Sequence, residues 1–182
     1  MRKIAGVVLS LAWVLLVLYP NVPLGVAQVE RQLDGLDALV DPDDELVSLV
    51  GEQLLITGEQ PESWVARNIP WRSDYDVYGN LEYWAHPSET ILRGAGDCED
   101  RAVLTRSLNA YLDQESEVVV QPGHVYIVRD GQAYFGVSDT DSFHEMLLDV
   151  ALAVPAGRVL LIFGGLIAIW GAVAACGVRS GA

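Results

Sequence analysis

Cys98, His124 and Asp139 are the residues whose types can do covalent chemistry together. Cys98 follows the turn Gly94-Ala95-Gly96-Asp97 and opens a stretch in which Leu104, Leu108, Tyr111 and Leu112 recur at helical spacing. Asp97 is a good N-cap residue, and Asp100, three positions on, can complete a capping-box-like arrangement. Unpaired backbone N–H groups and the positive end of the helix dipole favour a thiolate at such a place. They can lower a thiol pKa from about 8.5 into the range of roughly 3.5–7.5. A thiolate attacks an acyl carbon best when a base shares its proton and a third group holds that base. Cys98 as nucleophile, His124 as base and Asp139 as orienting group fill those roles, with the Cys98 backbone N–H as an oxyanion donor at the helix start.

The base and its partner are brought together by a hairpin. Residues 124–129 and 132–137 are β-rich runs flanking Asp130-Gly131, a strong two-residue turn signal. With Arg129 paired to Gln132, His124 falls opposite Val137, and Asp139 projects on the same face one diagonal step away. A slip of one residue would separate them. Taken singly, each residue has a plainer reading: a small buried cysteine, a strand histidine, a turn aspartate.

The words around Cys98 carry a family likeness. Glu82-Tyr83-Trp84-Ala85-His86-Pro87-Ser88-Glu89-Thr90, followed by Gly94-Ala95-Gly96-Asp97-Cys98-Glu99-Asp100-Arg101-Ala102-Val103-Leu104, resembles the core motif of the transglutaminase-like superfamily. The likeness runs from about Trp64 to Thr140 and is densest from Tyr83 to Leu104. It implies a papain-like cysteine fold with Cys, His and Asp in that order along the chain. In that pattern the orienting aspartate lies on the strand after the histidine strand, where Asp139 falls. It also implies an upstream tryptophan or polar side chain assisting at the oxyanion, for which Trp84 is the closest candidate.

Electrostatics around the thiol pull the other way. Asp97, Glu99 and Asp100 bring three negative charges to it, and unpaired they would raise its pKa. The expectation is that Arg93, Arg101 and high salt offset them, with the glutamate and aspartate side chains turned outward.

Composition narrows the partners. All 25 Asp and Glu lie between Glu30 and Asp149, with seven of the 11 basic residues, so the middle of the chain carries −18. Such a surface excludes nucleic-acid binding through basic patches and docking on anionic lipid by the same means. Lys3 is the sole lysine, an acidic, lysine-poor pattern that fits a halophile. The second cysteine, Cys176, falls in an apolar run, so Cys98 reads as a free thiol. The Cys98, His124 and Asp139 spacing matches no tight zinc motif and the acidic loops carry no EF-hand series; no metal and no cofactor are expected.

The elements that position the site follow in order. Residues 1–27 hold a basic leader, an apolar stretch from Ile4 to Leu18, and a small-x-small site at Gly25-Val26-Ala27. They read as a signal peptide or, equally open, as an N-terminal membrane anchor. Residues 28–154 form the transglutaminase-like domain. In it Leu33, Leu36 and Leu39 share helical spacing, and an Asp41 cap with Pro42 starts a helix whose face is Leu46, Leu49, Val50 and Leu54, ended by Gly58. Residues 61–67 read as a short helix, 71–80 as a loop, 88–92 as a capped turn and 118–120 as a short buried strand. Residues 155–178 form a C-terminal transmembrane helix around an uncharged apolar run from Val159 to Cys176, and 179–182 a cytoplasmic tail. Arg2, Lys3 and Arg179 then face the cytoplasm and the domain lies outside; Arg158 sits on the wrong side of this scheme.

The fold expected is α+β: a papain/transglutaminase-like core with N-terminal helices, a nucleophile-bearing helix on a small antiparallel sheet, and terminal hydrophobic segments. The function expected is thiol-dependent acyl transfer on peptide or protein substrates, as a cysteine peptidase, amidase or protein-glutamine acyltransferase at the cell membrane. The alternative is a catalytically silent binding or scaffold domain.

Overall fold

The helix that opens at Cys98 is the element on which the others pack. In the computed structural model, which describes residues 2–121, 124–135 and 154–178, it is α7 (Cys98–Tyr111). Before it come α1 (Arg2–Leu18), α2 (Val22–Asp34), a 3-10 turn (Leu36–Leu39), α3 (Glu45–Thr57), α4 (Pro61–Asn68), α5 (Asp74–Val77) and α6 (Pro87–Arg93). After it come β1 (Glu117–Gln121), β2 (His124–Arg129), β3 (Gln132–Tyr134) and α8 (Ala156–Val178). The fold is mixed α+β, mostly helical, with one three-stranded antiparallel sheet in the order β1-β2-β3.

One side of α7 gives Leu104 and Leu108 to a core with Val47 and Leu54 of α3 and Trp64 and Val65 of α4. Another side gives Ala102 and Val103 to a second cluster with Val125 and Ile127 of β2 and Leu36 and Leu39. A buried ion pair ties the layers: Arg129 of β2 lies 3.0 Å from Glu62 of α4, while Asn109 of α7 donates to Glu62 at 3.0 Å and accepts from Arg129 at 3.2 Å.

The hairpin has the expected register. Arg129 pairs with Gln132, Val128 with Ala133 and Ile127 with Tyr134. Asp130 and Gly131 take φ of 53° and 75°, the left-handed pair that matches strand twist in a two-residue loop. β3 ends at Tyr134, and Phe135 turns to φ 62°. Val137 and Asp139 lie outside the described residues, as does that part of the register argument.

Several local expectations shift. The cap of α3 is Asp44, which accepts from the Leu46 and Val47 amides at 2.9 and 3.2 Å, because Asp41 instead closes a turn on the Asp43 amide. The later start rotates the buried face to Val47, Gly51 and Leu54 and leaves Leu49 exposed. Gly58 ends the helix with φ 71°, as expected. Gly35, at φ 87°, breaks the Leu33-Leu36-Leu39 pattern: Leu36 and Leu39 are buried and Leu33 is exposed. β1 is a half-exposed edge strand rather than a buried one, with Val120 exposed among the described residues. The loop after Trp71 contains the short helix α5, and His86 is the N-cap residue of α6, its amide held by Glu89 at 2.8 Å.

At the other end, α1 packs along α8. Trp13 donates from Nε1 to the Leu161 carbonyl at 3.0 Å and lies where a Cβ on Gly165 would stand. Arg158 donates to the Val17 carbonyl at 3.2 Å, so the misfit of the charge scheme serves the C-terminal end of α1. A 20-residue stretch of α8, Ala156–Ala175, is long and apolar enough to cross a membrane, and none of it is buried. Gly25-Val26-Ala27 lies within α2.

Gly51 offers a test of the α3–α7 contact. A Cβ there would stand 2.2 Å from the Tyr111 ring. Gly51→Ala, which in an open helix gains roughly 0.5–1 kcal/mol, is expected to lose about 1–3 kcal/mol in denaturant titration followed by tryptophan fluorescence. Combining it with Tyr111→Ala should leave less than the sum of the two losses.

Candidate active site

Cys98 is the first residue of α7, but the turn before it is built differently from the expected capping box. The Asp97 side chain makes no cap hydrogen bond. Asp100 is fully buried and accepts the Ala85 amide at 2.8 Å, fixing the segment 82–86 against the helix start. Glu99 is also buried, at 5% exposure, and accepts the Cys98 thiol at 3.0 Å. The carboxylates that were to point outward point in, because residues 82–86 cover the first turn of α7.

The thiol faces β2. Cys98 packs on the cluster containing Ala102, Val103, Val125 and Ile127, with Trp84 beside it. The Val125 backbone N–H near the sulfur favours its ionised form. Burial pushes the Cys98 thiol well above its ordinary value, and the charges of Glu99 and Asp97 push the same way. The helix start alone predicts a lowered value; burial and two acids outweigh it.

His124 opens β2, next to Val125. Its Nε2 meets the Phe135 carbonyl oxygen at 2.5 Å. A carbonyl only accepts, so Nε2 carries the hydrogen, and in the neutral ring Nδ1 is left as the acceptor. Phe135 is held in turn by Arg101, whose guanidinium lies 4.3 Å from its ring centroid. Within the described residues the group that orients the imidazole is therefore a backbone carbonyl; Asp139 lies outside them.

Trp84 stands at the site with its indole N–H on Glu82, at 2.8 Å. Oxygens of Glu82 and Glu99 lie within 4.8 Å of one another, and the Glu99 charge, after burial, helps to push Glu82 up. The Trp84 indole, Glu82, Glu99 and the Cys98 sulfur thus follow one another across the site. The expected oxyanion role for Trp84 would need that indole N–H released from Glu82.

Behind Cys98 lies a set of acids that no spacing in the sequence revealed. Oxygens of Asp74, Asp97 and Asp100 lie within 4.8 Å of one another, as do those of Asp74, Glu82 and Glu99. Asp74 accepts the Tyr83 amide through one oxygen, while its other oxygen, one of Asp97 and one of Asp100 are buried without a partner. Gly96 makes room: a Cβ there would stand 2.8 Å from Asp100 Oδ2. Burial, then mutual repulsion, pushes Asp74 up to about 9 and Glu82 up to about 7. Asp100 is pushed up to about 8, chiefly by burial against the pull of the Ala85 amide, and Asp97 is raised as well. Such a group of hard oxygens can hold protons or a divalent cation of the calcium or magnesium type, a capacity beyond the sequence expectation of no metal. The signal available in the sequence was Asp100 itself, an acid at a position that the apolar pattern of α7 turns inward.

No protein-family model, curated protein or solved structure matches the chain. What the site defines is a half-buried cysteine at a helix tip against the strand that His124 opens, backed by carboxylic acids.

Two measurements follow from this geometry. Carboxyls with folded pKa values near 7–9 bind more protons folded than unfolded, so stability falls as pH rises from about 4 towards 9 and levels off above. With a chelator present, thermal unfolding is expected to show that fall, and Asp100→Asn, which keeps an acceptor for Ala85, is expected to flatten it. Glu99→Gln removes a negative charge from the thiol, so the pH profile of Cys98 alkylation by iodoacetamide is expected to move to lower pH.

Proposed function

We propose that this chain is a thiol-dependent acyl-transfer enzyme of the transglutaminase-like kind, acting on peptide or protein substrates outside the cell from a membrane anchor. The observation that carries the reading is that Cys98, at the tip of α7, packs on the Val125 and Ile127 cluster of β2, the strand that His124 opens. The Nε2–H to Phe135 bond supports it, since it leaves Nδ1 as the basic nitrogen.

In this reading the Cys98 proton passes to His124 Nδ1 as the sulfur attacks the acyl carbon. The tetrahedral oxyanion forms at the Cys98 backbone N–H in the first turn of α7. Collapse leaves a thioester on Sγ, and the imidazolium gives its proton to the leaving amine. Water resolves the thioester in a peptidase or amidase, and a primary amine resolves it in an acyltransferase. Asp139, the orienting group that the family pattern implies, would take the same Nε2–H that the Phe135 carbonyl accepts.

Membrane anchoring is supported by α8, apolar all round and wholly unburied, with α1 packed along it. A core helix of that composition would be covered by protein. Lys3, at the start of α1, marks the cytoplasmic side, and the domain follows the other end of that helix.

A second reading, a silent binding domain, is favoured by the neutral, Glu99-bonded thiol. A peptide probe bearing an acyl-type thiol-reactive group separates the two. Labelling of the full chain at Cys98, lost in Cys98→Ala and slowed about 10²- to 10⁴-fold in His124→Ala, is the result expected of the enzyme. Equal labelling of the His124→Ala variant would leave only the binding domain. Mapping the acyl acceptor then tells hydrolysis from transfer.

A further inference from the structure

α2 has two faces with different fates. Val22, Val26, Val29 and Leu33 fall at i, i+4, i+7 and i+11, which superposes them in one narrow stripe along the helix. They are 55%, 56%, 58% and 83% exposed. The opposite face is fully engaged: Leu24 and Ala27 pack on the Tyr78, Tyr83 and Ala85 cluster, Gln28 accepts the Trp84 amide at 2.7 Å, and Arg31 donates to the Trp84 carbonyl and to Glu89. Glu30 and Gln32 border the stripe.

The helix also has a fixed relation to the apolar pair α1 and α8. It follows α1 after three residues and turns from it by 93°. With Gln28, Glu30, Arg31, Gln32 and Asp34 in its second half, it does not continue α1 as a span. If α1 and α8 stand across a bilayer, a helix at a right angle to them at their domain end runs along the bilayer surface. We infer that α2 lies in the interface between lipid headgroups and acyl chains on the domain side of the membrane, its Val22-Val26-Val29-Leu33 stripe turned into the lipid. The occupant is lipid rather than protein because the stripe continues from a helix already apolar on its outer side, where Leu15 and Leu16 are exposed. With no lysine on α2 and acids at its edge, the binding is apolar rather than electrostatic, so neutral lipids serve as well as anionic ones. The consequence for the site is direct: the helix lying on the membrane is the one whose back holds both backbone groups of Trp84, so substrate meets Cys98 close to the membrane surface.

This inference rests on the membrane-anchor reading, and the test separates them. Single cysteines are placed at Val22, Val26, Val29, Glu30, Leu33, Asp34 and Ile167 in the full chain with Cys98→Ser and Cys176→Ser, spin-labelled, and reconstituted in phosphatidylcholine nanodiscs. The ratio of collision with oxygen to collision with a water-soluble nickel chelate reports depth. The stripe positions are expected to exceed Glu30 and Asp34 several-fold and to follow the helical period of about 3.6. Ile167 is expected to read as lipid-buried. A lipid-like Ile167 with a water-like stripe overturns the inference and leaves the anchor. A water-like Ile167 overturns the anchor and the inference with it. A stripe shielded from both reagents means that protein covers it, and overturns the lipid assignment. The unaltered chain gives an independent reading: a lipid with a diazirine near the headgroup end of its acyl chain should mark residues 22–34 as well as α8, and adducts on α8 alone count against the inference.

Discussion

A carboxylate with no exposed surface and no cation beside it sets the terms for this domain. Asp100 gives one oxygen to the Ala85 amide and has the other in a cluster of acids. Among the described residues no ion pair involves Asp74, Asp97 or Asp100. Burying an isolated charge is so costly that such groups take up a proton or a counter-ion instead. The amide bonds made by Asp74 and Asp100 fix the segment 82–86 between α5 and α7, and that segment carries Trp84 and covers the thiol. The buried acids therefore help to build the site: with them solvated, the segment 82–86 would lose its two ties to α5 and α7 and keep those of Trp84 to α2 and Glu82.

What could be read from the sequence was what local chemistry decides. Asp130-Gly131 dictated the turn, and the turn dictated the register of β2 with β3. Gly58 dictated the end of α3, and the apolar spacing of Leu104 and Leu108 dictated how α7 is buried. What could not be read depends on partners distant in the chain. Glu99 and Asp100 look like first-turn acids until residues 82–86 close over them. Asp41 and Asp44 are equal as caps on paper, and the choice between them falls to a turn that ties Asp41 to Asp43. Phe135 carries no mark of function in its type; only its carbonyl, presented by a left-handed turn, reaches His124.

The two ends of the chain and the site form one mechanical unit. Arg158 at the start of α8 bonds the Val17 carbonyl at the end of α1, and Asn21 and Asn80 exchange two hydrogen bonds of 3.0 Å where the chain leaves α1. α2 then carries Gln28 and Arg31 to Trp84 and Glu89. Each link is a hydrogen bond to a backbone group or an acid, so the separation between the helix pair and Cys98 is set by rigid elements rather than by a linker. A domain tethered by a flexible stalk would sample many heights; this arrangement selects one.

The charge state of the acids and that of the thiol follow from the same contacts. At Cys98 the helix start and the Val125 amide favour a thiolate, while burial and the charges of Glu99 and Asp97 oppose it. A helix terminus is worth up to about 2 kcal/mol, little more than one pKa unit, and here burial and two nearby acids act together against it, so the neutral thiol is favoured. In that form the thiol donates to Glu99, whose carboxyl lies close to Glu82. The charges of Glu82 and Asp100 raise Asp74, and that of Glu82 raises Asp100, so these acids titrate together. A proton or a cation added to the acids lowers the negative potential at the sulfur, and ionisation of the sulfur raises the demand for one. The reactivity of Cys98 is therefore set less by its place at a helix tip than by how many charges the carboxyls behind it carry.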